Sequence, residues 1–141
     1  MSSTSTNSWV FDIQDTIYSR VDAVVTAKLG SKYKDLNVTT DSHKVTNAKF
    51  PNVYLHFLAP TEVGQDLNGQ DVNAIYLTVD ITVTVTSAQK MEVAREVTQV
   101  VVDCMKEMRF TAYLSEFRDT DTEYNTVQRF ARNIGNGETL F

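Results

Sequence analysis

The sequence predicts an α+β fold: a mostly antiparallel or mixed β-sheet containing a long β-hairpin, flanked by two main α-helices. The first observation is the strict alternation from Ala74 to Thr86. Ile75, Leu77, Val79, Ile81, Val83 and Val85 fall on one face, and Tyr76, Thr78, Asp80, Thr82, Thr84 and Thr86 on the other. Strand side chains alternate faces, so this is one long strand with a buried face and a wet or partner-facing one. The second is that residues 9–29 and 88–108 repeat apolar side chains at the three- and four-residue steps of a helix face. The third is the order helix, strands, helix, strands, without a long β-α-β repeat, which favours a sheet carrying helices on one face.

Residues 1–8 are Ser/Thr/Asn-rich and uncharged, and read as a flexible arm. Ser8 or Asn7 is positioned to cap a helix over Trp9 to Leu29, whose apolar face is Val10, Ile13, Ile17, Val21, Val24 and Val25. Gly30 then suits a left-handed C-cap. A polar connection follows, with a short strand around Leu36 to Thr39. Phe50 and Pro51 introduce a strand over Asn52 to Leu58, apolar on both faces (Val53, Leu55 and Phe57 against Tyr54, His56 and Leu58), which predicts cover on both sides. Pro60, Gly64 and Asn68-Gly69 mark a turn region, so residues 52–87 read as a long antiparallel hairpin with an extended tip. Residues 74–86 at about 3.3 Å each would span about 43 Å, enough to project beyond a small core.

Thr86 with Gln89 resembles a capping box before a second helix, about Ala88 to Met108, with Met91, Ala94, Val97, Val101, Cys104, Met105 and Met108 on its apolar face. Phe110 to Phe117 reads as a further strand, Asp119 to Glu123 as an acidic turn, and Thr126 to Ile134 as the last strand. The domain reading is an arm over 1–8, one domain over 9–135, and a loose tail over 136–141.

Composition bounds function. A chain of 141 residues with 42% hydrophobic content fits one modest core. The net charge of −5 argues against adhesion to nucleic acid without excluding a passage that DNA slides through. The first residues lack a signal peptide's basic and apolar regions, no apolar run approaches the ~20 residues of a membrane span, and one cysteine forms no internal disulfide. Synthesis in a reducing cytoplasm is the expectation.

The catalytic inventory is thin. His43 and His56 form no metal-spacing motif with Cys104, which sits on the apolar helix face as a small hydrophobe would. His56 reads as a satisfied strand histidine. Nucleotide-binding glycine loops, the G-x-S-x-G elbow and H-E-x-x-H are missing, and Asp119, Asp121 and Glu123 lack the glycine and glutamate of a calcium loop. The expectation is no enzyme, no cofactor and no metal.

Surface features point instead to assembly. No Lys or Arg lies between Lys49 and Lys90, where Glu62, Asp66, Asp71 and Asp80 lie, whereas residues 28–49 hold Lys28, Lys32, Lys34, Lys44 and Lys49 against Asp35 and Asp41. An acidic hairpin and a basic connection either complement each other head to tail between copies or are merely solvated. Leu140 and Phe141 either dock on a partner or fold back on the core. Candidate contacts are Tyr76, Asp80, Glu62, Asp66, Asp71, Lys44, Lys49, Leu140 and Phe141.

The element order, with F-P-N-V-Y-L leading a strand, I-Y-L-T-V-D-I-T-V-T-V-T-S, a helix beginning A-Q-K-M-E-V-A, and Q-R-F-A-R-N-I near the end, resembles the tail-terminator (tail-completion) proteins of long-tailed bacteriophages over about residues 9–135. The resemblance implies a small α+β domain and a hexameric ring at the head-proximal end of the tail tube. Such a ring stops tube polymerisation and meets tail tube protein on one side and the head-tail connector or neck on the other, with DNA passing through the lumen. It implies a virion location and brings no catalytic residues. The alternatives are another neck or head-closure protein, the tube protein itself, or a small cytoplasmic ligand-binding domain or enzyme, which would need a convergent polar pocket.

Overall fold

The computed structural model describes residues 8–40, 50–65, 72–86, 88–119 and 122–140, with the side chains of 64–65, 72–73 and 114–119 excepted. The elements run α1 (Trp9–Leu29), β1 (Asn37–Thr39), β2 (Asn52–Phe57), β3 (Thr61–Gln65), β4 (Val72–Thr86), α2 (Lys90–Glu107), β5 (Thr111–Asp119) and β6 (Glu123–Gly135). They form a mixed, mostly antiparallel sheet of order β1-β2-β4-β6-β5, with β3 also paired to β4. This is the expected α+β architecture.

The alternating strand is the sheet's spine. β4 pairs antiparallel with β2 and β3 along one edge and with β6 along the other, the β6 ladder running from Ala74↔Gly135 to Thr86↔Glu123. The hairpin read over 52–87 is present as β2 and β3 against β4, interrupted at 58–60; the Asn68-Gly69 turn lies outside the described residues. β1 is parallel to β2, and β5 antiparallel to β6.

Periodicity sets what is buried. Ile75, Leu77, Val79, Ile81, Val83 and Val85 are at most 2% exposed and share one core with Ile17, Val21, Val25 and Leu29 of α1 and Ala94, Val97, Val101, Cys104 and Met105 of α2. Burying each such Val, Leu or Ile side chain stabilises the fold by about 1.5–3 kcal/mol. The expected projection of the strand is corrected here: its inward face is buried all the way from Ile75 to Val85, so this span has core behind it.

Two polar residues enter that core with partners. Thr126 of β6 is 1% exposed and shares a hydroxyl–hydroxyl hydrogen bond of 2.5 Å with Thr98 of α2. Gln128 is 5% exposed and donates to the Tyr113 carbonyl, where the β5 register shifts between Ala112 and Ser115. A buried polar group without a partner would be costly, and these two have partners.

Several local expectations are corrected. Ser8 makes no side-chain cap, and Gly30 is right-handed helical (φ −63°, ψ −32°) rather than left-handed. Glycine is needed there for room, because a Cβ would lie 2.5 Å from the Thr26 carbonyl oxygen. α2 starts at Lys90 rather than Ala88, because Thr86 and Gln89 close a turn first. The Gln89 N–H donates to the Thr86 carbonyl, the Thr86 N–H donates to Gln89 Oε1, and Lys90 then takes a positive φ of 70°. β6 starts three residues earlier than its pattern predicts, because β4 offers Val85 and Thr86 as partners to Tyr124 and Glu123. The acidic turn read over Asp119 to Glu123 is shorter than expected, since Asp119 ends β5 and Glu123 begins β6, with Thr120 and Asp121 outside the described residues.

The tail read as loose is fastened through Leu140. The Glu138 N–H donates to the Gly135 carbonyl at 3.1 Å, Arg109 Nη2 donates to the Thr139 carbonyl at 2.7 Å, and Leu140 is 3% exposed within the core. Of the two readings for Leu140, folding back is the one realised. The arm over residues 1–7 lies outside the described residues.

Candidate functional site

Both helices contribute to the core behind the inward face of the sheet, so the residues between the buried positions of β4 form a second, opposite face. Strand β2 tests that division. Val53 and Leu55 point inward at 0% and 1% exposure, but Tyr54 is half-buried and His56 exposed. The predicted two-sided cover is therefore corrected. Tyr54 and His56 tolerate an open face because each couples an apolar ring to a polar tip, and Leu58 falls beyond the strand end.

Register assembles this face from distant segments. His56 on β2 is opposite Asp80 on β4, which is opposite Arg129 on β6. Arg129 Nε and Nη2 donate to Asp80 Oδ1 and Oδ2 at 2.8 and 3.0 Å, a bidentate fork. The hydrogen bond to Asp80, then its charge, raise the Arg129 pKa. One row on, Tyr54, Thr82 and Val127 align, and the Tyr54 hydroxyl lies 3.1 Å from His56 Nδ1. Thr84 Oγ1 donates to Asn125 Oδ1 at 2.6 Å.

At the other end, Tyr76 of β4 and Tyr113 of β5 bring their hydroxyls within 3.2 Å across the intervening β6. That hydrogen bond raises the Tyr76 pKa, with desolvation second. Tyr113 is 47% exposed, one of the few large apolar side chains left open among the described residues, with Phe11 of α1 and Val63 of β3. The face is thus aromatic and threonine-rich, with Asp80 and Arg129 cancelling each other's charge.

No protein-family model matches the chain, and no curated protein matches it.

The face holds two of the sequence-predicted contacts, Tyr76 and Asp80. Glu62 is exposed on β3, in register with Ile75, and so belongs to the other face. Leu140 is withdrawn into the core. Lys44, Lys49, Asp66, Asp71 and Phe141 lie outside the described residues, and with them most of the expected acidic–basic complementarity. Sequence reasoning missed Arg129, His56, Tyr113 and Val127 as members of this face. The odd-numbered alternation of β6 was visible, but only the β4–β6 register says that Arg129 meets Asp80.

Chemistry is sparse elsewhere. Cys104 is 1% exposed, and burial pushes its thiol pKa up, which keeps it protonated and unreactive. Among the described residues, no group of three or more His, Cys, Asp or Glu side chains converges as a metal site, and no helix is long and apolar enough to cross a membrane. A shallow depression of about 380 Å³ is lined by Asp15, Thr16, Ser19 and Arg20 of α1. Between the helices, Lys32 Nζ donates to Glu96 Oε2 at 2.9 Å and the Tyr33 hydroxyl donates to Glu96 Oε1, tying the end of α1 to α2.

Proposed function

We propose that this chain is a structural virion subunit of the tail-terminator kind, not an enzyme. Copies assemble into a ring, hexameric by resemblance, that caps the head-proximal end of a phage tail tube. One side of the ring matches the last layer of tail tube protein and so stops its polymerisation. The other side presents a surface to the connector or neck. The net charge of −5 suits a lumen that DNA traverses without adhering, because like charges repel.

The observation that carries the reading is the broad sheet face built from β2, β4, β6 and β5. Its aromatic side chains, around an Asp80 and an Arg129 that pair with each other, suit a surface made for protein contact. Strands backed by a packed core hold these side chains in fixed positions, as a repeated intersubunit contact requires.

The test is the mass and shape of the purified protein across concentration, by light scattering with negative-stain imaging. Rings of about six copies with a central hole, which then halt tube growth in a tail-tube polymerisation assay, are the expected result. A compact monomer that also leaves tube growth unchanged overturns the reading. Spontaneous open tubes would make the chain a tube protein instead.

A further inference from the structure

The segment after β6 is held as a ligand is held. Arg132 of β6 has a side chain only 11% exposed, and its guanidinium forms an ion pair with Glu138. The same group donates to the Met108 carbonyl at 2.6 Å and lies 5.9 Å from the centre of the Phe110 ring. Arg109 approaches from the turn after α2, 2.7 Å from the Thr139 carbonyl and 4.0 Å from Glu138 Oε2. Leu140 completes the arrangement by entering the core that contains Met108 and Phe110. Two arginines receive one carboxylate, and an apolar socket receives one leucine.

The link to β6 is short and permissive. Gly135 ends the strand, and Gly137 has a φ of +83° with open space where a Cβ would stand. Such a glycine hinge lets the segment leave along another path without strain.

We propose that this socket is exchangeable, and that it takes residues 136–140 of a second copy of the chain in place of its own. Glu138, Thr139 and Leu140 of a second copy can make the same contacts in trans, so the exchange gives up only the 135–138 turn with its Glu138 N–H to Gly135 carbonyl bond, and this near-preservation of contacts is what makes segment swapping low in cost. The inference is independent of the ring reading, since reciprocal exchange makes a dimer and head-to-tail exchange makes a ring.

Two arms test it. A chain ending at Gly135 is titrated with a fluorescent peptide of residues 136–141. Saturable one-to-one binding is expected, weakened about tenfold or more when the peptide carries Glu138→Gln or Leu140→Ala. In full-length protein, a Glu138→Lys/Leu140→Ala variant keeps the socket and loses the segment, whereas Arg109→Glu keeps the segment and impairs the socket. Mixing the two is expected to give a heterodimer by light scattering that neither variant forms alone. Should the shortened chain fail to fold, the mixture decides by itself. Absence of the heterodimer overturns the proposal, as does peptide binding indifferent to both substitutions.

Discussion

Asp80 and Arg129 stand 49 residues apart in the chain and meet in a two-pronged ion pair at the centre of the sheet's open face. The Arg129 side chain remains 53% exposed and that of Asp80 20%. Water and salt screen such a pair, so its contribution to folding is small. Asp80→Asn and Arg129→Gln should each leave the urea midpoint nearly unchanged. If the open face is a subunit contact, Asp80→Lys should abolish association by light scattering while the fold persists by circular dichroism, because two uncompensated cations would then sit at its centre.

The spine strand should be the most sensitive element. Leu77 is fully buried in the core between the sheet and the helices. Leu77→Ala removes three carbons from a packed site and should cost about 2–5 kcal/mol of unfolding free energy. Its outward neighbour Thr78 faces the other side, and Thr78→Ala should cost under about 1 kcal/mol in the same denaturation series.

The Thr98–Thr126 pair should behave non-additively. Thr126→Val leaves the Thr98 hydroxyl without its partner and should cost about 1–3 kcal/mol. Thr98→Val in that background removes the orphaned group and should restore much of the loss. A double-mutant cycle in urea measures the coupling, and strict additivity would contradict the hydrogen bond.

Acid stability should carry a signature of Glu96. Hydrogen bonds from Tyr33, then from Lys32, hold its carboxyl below the ordinary value of 4.5. A depressed folded-state pKa adds stability that is fully present above the unfolded value and lost as pH falls through the folded one. Glu96→Gln should therefore lower the thermal midpoint at pH 7, and the gap to wild type should close as pH falls below 4.5. A gap independent of pH would show that the carboxylate charge is not what matters.

Much of this architecture is legible in the sequence because it depends on local period. The two-residue alternation of 74–86 determined which side chains of β4 are buried, since a strand that turns Ile75 inward must also turn Leu77 and Val79 inward. The three- and four-residue spacing located α1 and α2 within two residues at each end. What the tertiary structure alone decided depends on contacts between distant segments. Pairing of β4 with β6 set Arg129 against Asp80 and extended β6 to Glu123. The division of the sheet into a helix-backed face and an open one left Tyr54 and His56 uncovered, although their apolar rings read as buried. Leu140 was drawn inward because the socket that receives it, beside Arg109 and Arg132, exists only once α2, β5 and β6 are packed together.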